Sequence, residues 1–155
     1  MANQEKDPEL GLRSQPPQPH TDGKGPITLD GNFYLAGYNG PTFVGYLREA
    51  TGGWSGYAEV DPDPSVAALM SIYQNGGLDY WYNVNTGDWL TYQSAAASPM
   101  YFTEYKTQAR SWVLQPDGKL HSNGNGNNAA LYKPDGPWLY ANNEYYQLTW
   151  KKVPA

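Results

Sequence analysis

Carboxylates, aromatics and side-chain amides are the groups in this chain whose types and spacing point to chemistry. Glu59, Asp61, Asp63 and Glu104 supply the carboxyl groups from which a glycosidase draws its acid and its nucleophile or base. Asp61-Pro62-Asp63-Pro64 reads more simply as a rigid connector, because each proline drives the residue before it toward extended geometry. The two histidines stand apart, His20 in a proline-rich N-terminal stretch and His121 at the head of an asparagine-rich loop, so they assemble no serine–histidine or metal-binding constellation. Without cysteine there is no thiolate nucleophile, disulfide or thiolate metal site. No catalytic residue, metal ligand or cofactor site is assigned, and the expectation is a protein that is not an enzyme.

The aromatics suggest binding. A sugar ring offers CH groups to an aromatic face and hydroxyls to amides and carboxylates, so an exposed Trp or Tyr beside Asn or Asp is what carbohydrate recognition uses. Trp54 lies in the glycine-rich Gly52-Gly53-Trp54-Ser55-Gly56 loop, Trp81 and Tyr92 flank the second repeat's hairpin, and Tyr140 and Tyr145 flank Asn142-Asn143. The expected stacking residues are Trp54, Trp81, Tyr92 and Tyr145; the expected hydroxyl partners are Asn83, Asp88, Asn142 and Asn143. Fourteen tyrosines and six tryptophans in 155 residues favour half-exposed binding surfaces, since tyrosine joins an apolar body to a polar tip. A net charge of −5 argues against a phosphate backbone as partner, because that requires a basic face.

The elements that position these residues are short strands between turns. Asp30-Gly31, Asn75-Gly76 and Asp117-Gly118 recur with steps of 45 and 42 residues. The aromatic–aliphatic pairs Phe43-Val44, Trp89-Leu90 and Trp138-Leu139 recur with steps of 46 and 49 and are expected to form the shared packing layer. Asn-Gly and Asp-Gly between apolar runs are strong hairpin signals, because type I′ turns need positive φ at both central positions. Each unit reads as four strands, about twelve in all. Pro64 to Met70 breaks the pattern as a short helical turn, and His121 to Asn128 reads as a loop. Three β units that share one core predict an all-β, closed structure, a β-trefoil, in which closure removes sheet edges. An up-and-down barrel also closes its edges but gives no reason for a repeat near 45 residues.

One domain is expected from residue 27 to 155, preceded by a leader, 1–26, with five prolines and almost nothing apolar beyond Leu10 and Leu12. That leader has no apolar run to act as a signal peptide, and no 18-residue apolar stretch occurs anywhere. The expectation is a cytoplasmic or non-conventionally secreted protein with no membrane insertion.

The segment Trp112-Val113-Leu114-Gln115-Pro116-Asp117-Gly118-Lys119-Leu120-His121-Ser122-Asn123-Gly124 resembles the start of a repeat in β-trefoil proteins of the ricin-B and fascin-like kind. There an aromatic-x-Leu strand runs into an Asp-Gly turn and a Ser-Asn-Gly-type segment. The likeness in repeat plan covers roughly residues 26 to 153, while the motif covers only this dozen. Ricin-type lectins carry a Gln-x-Trp triplet near the end of each repeat, and Gln147-Leu148-Thr149-Trp150 is one residue too long, so a galactose site is not transferred by position. The resemblance implies a non-catalytic lectin, with glycans or glycoproteins as partners. A protease inhibitor or other protein-binding β-trefoil, presenting 123–128 or 52–56 as a loop, is the alternative.

Overall fold

The computed structural model describes residues 31–155, and they form an all-β structure of thirteen strands. The leader, the start of the expected domain at residues 27–29 and Asp30 of the first expected turn lie outside the described residues. The strands are β1 (Phe33–Asn39), β2 (Thr42–Glu49), β3 (Ala58–Asp61), β4 (Met70–Asn75), β5 (Leu78–Asn83), β6 (Trp89–Tyr92) and β7 (Met100–Thr103). They continue as β8 (Trp112–Leu114), β9 (Leu120–Ser122), β10 (Ala129–Leu131), β11 (Leu139–Ala141), β12 (Tyr146–Gln147) and β13 (Thr149–Pro154). Pro64–Val66 is a 3-10 turn, as its prolines suggest, with the Asp63 carboxylate accepting from the Ser65 amide. Among the described residues no helix is long and apolar enough to cross a membrane.

Six strands form a nearly closed barrel. β13 pairs with β1 from Phe33↔Pro154 to Tyr38↔Thr149. β1 meets β4 at Phe33↔Met70, and β4 forms a hairpin with β5 through Asn75-Gly76-Gly77. A bridge between Tyr80 and Ser111 joins β5 to the entry of β8, and β8 pairs with β9. The Trp150 amide then donates to the Gly118 carbonyl at 2.7 Å, returning the ring to β13. β13 therefore occupies the place beside β1 that β4 holds beside β5 and β8 holds beside β9.

Six of the remaining seven strands form three hairpins with the same register, and the two-residue β12 pairs with β10. Leu47 lies opposite Val60, Leu90 opposite Phe102, and Ala129 opposite Ala141. The return strands β3, β7 and β11 meet in a triangle held by a cyclic set of backbone hydrogen bonds. Val60 donates to the Pro137 carbonyl (2.9 Å), Ala141 to Ser98 (2.9 Å) and Phe102 to Gly56 (2.6 Å). In each strand the accepting carbonyl lies four residues before the donating amide. The next residue in each, Asp61, Thr103 or Asn142, accepts a hydrogen bond on its side chain from the amide two positions on. Such turns give the departing backbone a partner that the strand ladder no longer supplies.

Alternation along the triangle's strands divides them between two environments. Ala58, Val60, Met100, Phe102, Leu139 and Ala141 point inward and are buried with Leu35, Leu47, Ile72, Leu90, Trp112 and Leu120 in one continuous core. Trp81 and Trp112 belong to that core and donate their indole N–H groups to the carbonyls of Trp112 and Leu90, both at 3.1 Å. β2 crosses from barrel to cap hairpin at Gly45, opposite a register shift in β1. A Cβ there would lie 2.6 Å from the Asp61 amide nitrogen, and its φ of +139° also excludes ordinary side chains.

The aromatic–aliphatic pairs do not form the shared layer expected of them. In the hairpin register Trp89 corresponds to Tyr46 and Asn128, whereas Trp138 corresponds to Tyr57 and Pro99, so the three pairs are not one position. Trp89 is buried, in a satellite cluster with Tyr73 and Tyr82 rather than in the barrel. Phe43 is 39% exposed and packs edge-on with Tyr38 and Tyr46 on the surface. The residues that do share a layer are Leu47, Leu90 and Ala129, chosen by strand parity and not by the aromatic before them.

Candidate functional site

The outward face of the triangle is an aromatic cap. Tyr57 and Glu59 project from β3 and its approach, Pro99 and Tyr101 from β7 and its approach, and Trp138 and Tyr140 from β11 and its approach, all half-buried while their inward neighbours are fully buried. Sequence alternation produces this division: Tyr57-Ala58-Glu59-Val60, Pro99-Met100-Tyr101-Phe102 and Trp138-Leu139-Tyr140-Ala141 each interleave core-sized and surface residues. Trp54 joins them from the 3-10 turn Gly52–Trp54, which buries none of its own residues. Its ring lies 6.1 Å from Tyr57 and 6.0 Å from Trp138, and those two are 6.4 Å apart, all tilted edge to face. The indole nevertheless remains 62% exposed.

Between these rings lies a cavity of about 280 Å³ lined by Trp54, Tyr57, Pro99, Met100, Trp138 and Tyr140. Tyr140 links it to a second trio, since its ring is 5.3 Å from Tyr145 and 6.5 Å from Tyr132, which are themselves 5.1 Å apart. Burial, and then the neighbouring phenols of Tyr145, Tyr132 and Tyr57, raise the pKa of Tyr140, so it is a neutral hydroxyl at ordinary pH. The cap thus presents ring faces and edges together with hydroxyls that donate and accept.

A charged cross-strand pair, Arg48 and Glu59, borders the cap. Glu59 lies directly across the strand pair from Trp138. Its carboxylate is 3.4 Å from Arg48, whose guanidinium also holds Asp61 at 2.9 Å. Burial raises the Glu59 pKa, Arg48 pulls it back and Asp61 pushes it up.

A second, polar cavity of about 610 Å³ lies where the β2–β3 hairpin meets the 83–88 turn. Arg48, Glu49, Thr51, Asn83, Thr86 and Asp88 are among its walls. Glu49 accepts from Thr86 Oγ1 at 2.8 Å and Asn83 Nδ2 at 3.1 Å, and its carboxyl is hydrogen-bonded to that of Asp88. Burial first, and then Asp88, push the Glu49 pKa up to about 9, so the pair holds a proton between its two carboxyl groups at neutral pH. The matching position in the next hairpin is Tyr92, whose ring packs on Trp112 and under Gly124 of the 122–126 turn. The same junction is thus filled by an aromatic ring in one place and by a protonated carboxyl network in the other. Among the described residues no group of three or more His, Cys, Asp or Glu is arranged to hold a metal ion.

The expected site residues divide three ways. Trp54 and Tyr145 stand on the cap with Tyr140. Asn142 and Asn143 lie at its edge in supporting roles: Asn142 Oδ1 caps the turn after β11, and Asn143 Oδ1 accepts from the Asn128 amide at 2.7 Å. Trp81 and Tyr92 are core residues, 1% and 6% exposed, with no ring face left for a sugar. Trp81 faces inward because it alternates with the half-buried Tyr80, and Tyr92 because its strand is buried throughout. Asn83 and Asp88 are likewise buried, within the Glu49 network rather than beside an exposed ring. Loop composition does not single out Tyr57, Tyr101, Tyr132 or Arg48; Glu59 enters the sequence reading only as one of four candidate carboxylates, and Trp138 only as part of the expected packing layer. Their signal lay in the parity of three strands that must first be aligned as equivalent. In comparison with known proteins, no family model matches the chain and no curated protein matches it.

Proposed function

We propose that this chain is a β-trefoil that binds glycans, without catalysis, on the cap where its three hairpins converge. The fold reading is supported by the cyclic Val60–Pro137, Ala141–Ser98 and Phe102–Gly56 hydrogen bonds and by the six-strand ring beneath them, which together repeat one four-strand plan three times. The single observation that carries the function is the exposed Trp54 indole poised over Tyr57 and Trp138, at the mouth of a cavity rimmed by tyrosine hydroxyls. Aromatic planes beside fixed hydroxyls suit the apolar faces and polar edges of a sugar ring. A shallow site of this size gives weak binding per site, with useful strength coming from multivalent presentation.

A protein partner is the second reading, favoured by the enrichment of Tyr and Trp that also marks protein-binding hot spots. Neither loop proposed to insert into a protease is extended. Gly52–Trp54 is a 3-10 turn, and 122–127 is folded on itself by Gly126 to Ser122 and Asn127 to Asn125 hydrogen bonds.

A glycan array probed with the wild-type protein and with Trp54→Ala tests the proposal. Retention of defined glycans by the wild type, lost in the variant at unchanged melting temperature, is the expected result. Equal retention by the two, or retention of nothing, overturns it.

A further inference from the structure

The cap's three strands and their hairpin partners create three equivalent cross-strand rows, and only one of them carries charge. Arg48 pairs with Glu59, which bridges to Trp138. The corresponding rows are Thr91, Tyr101 and Tyr57 in one place and Ala130, Tyr140 and Pro99 in the other. The register that gives a hydroxyl, a phenol and a second phenol, or alanine, a phenol and proline, thus gives guanidinium, carboxylate and indole in a line. This row is also the one that ends beside Trp54, 6.0 Å from Trp138.

Stability alone gives little reason for this exception. Ion pairs near the surface contribute little to stability, and Glu59 is partly desolvated where the equivalent rows carry a tyrosine. Arg48 is moreover held by Asp61 at 2.9 Å and lies farther, 3.4 Å, from Glu59, so the Glu59 carboxylate keeps acceptor capacity beyond its ion pair.

We infer that the Arg48–Glu59–Trp138 row selects an uncharged saccharide with a vicinal diol, stacking its ring on Trp138 and Trp54. Glu59 accepts from one hydroxyl of the diol, and Arg48 donates to the adjacent one. Two carboxylates, Glu59 and Asp61, share one guanidinium, so this corner carries a net negative charge that repels sugar acids. The inference rests on the glycan-binding reading of the cap and adds to it the residues that set specificity and the charge class of the ligand.

The test is an array of neutral, uronic-acid-terminated and sialylated oligosaccharides, probed with wild type, Glu59→Gln, Arg48→Met and Trp138→Ala, with melting temperatures recorded for each. Neutral glycans should be retained and acidic ones rejected by the wild type. Glu59→Gln, nearly isosteric and still able to accept from Arg48 through its amide oxygen, should melt like the wild type yet lose roughly tenfold or more in retention, as expected for removing one charge-assisted hydrogen bond. Arg48→Met should weaken neutral binding without admitting acidic sugars. Wild-type preference for sialylated or uronic glycans, or unchanged retention by Glu59→Gln while Trp138→Ala loses it, refutes this inference and leaves the cap reading intact. Unchanged retention by Trp138→Ala as well, or no glycan retained by the wild type, removes both.

Discussion

Glu49→Gln should stabilise the protein at pH 8 and leave it nearly unchanged at pH 5. Glu49 holds its proton in the folded state up to about pH 9, whereas an unfolded glutamate releases it near 4.5. The raised folded value means that its stabilising contribution is complete below about 4.5 and is lost progressively as pH rises toward 9. In that window the native state binds one more proton than the unfolded chain, and each pH unit costs up to about 1.4 kcal/mol. From pH 5 to pH 8 the loss approaches about 4 kcal/mol as an upper bound. Glutamine keeps the oxygen that accepts from Thr86 and Asn83 and replaces the shared proton with an amide N–H aimed at Asp88, without any titration. Urea unfolding of wild type and variant at pH 5, 6.5 and 8, at fixed ionic strength, reads the difference directly; the groups that titrate outside the Glu49–Asp88 pair are common to both proteins and cancel. A stability difference that stays constant with pH would refute the protonated pair.

Trp81→Ala should cost about 3–5 kcal/mol, because it opens a cavity in the barrel and strips the Trp112 carbonyl of its donor. Trp54→Ala, on a turn that buries nothing, should fall within about 1 kcal/mol in the same chemical denaturation. Gly45→Ala should destabilise by about 2 kcal/mol or more, since its Cβ meets the backbone of Asp61 and not a side chain that can yield; a wild-type-like midpoint would show that β2 and β3 separate easily at the bulge.

Hairpins were legible because their punctuation is local. Asn75-Gly76 and Asp117-Gly118 each mark the junction of two paired strands, and the prolines around Asp63 point to a helical turn. Equivalence between distant strands was not local. Phe43, Trp89 and Trp138 share a neighbour pattern in sequence, yet the register of β2–β3, β6–β7 and β10–β11 aligns Leu47, Leu90 and Ala129 instead. The same gap hides which aromatics are buried and which are exposed. Trp81 and Trp54 both lie near turns, but only strand parity buries Trp81, and only the closing triangle gathers Trp54, Tyr57 and Trp138 from residues more than 80 apart in sequence. Glu49 gave no signal at all, because its burial depends on the 83–88 turn of the next unit folding over it.

The six tryptophans supply the most direct test, because their indole N–H resonances separate the cap from the core. In a nitrogen-15 correlation spectrum titrated with a neutral oligosaccharide that the array retains, the Trp54 and Trp138 indole signals should shift. Those of Trp81 and Trp112, whose N–H groups are tied to buried carbonyls, should stay fixed. Shifts confined to other tryptophans, or saturating binding with Trp54 and Trp138 unmoved, would contradict a glycan site on the cap.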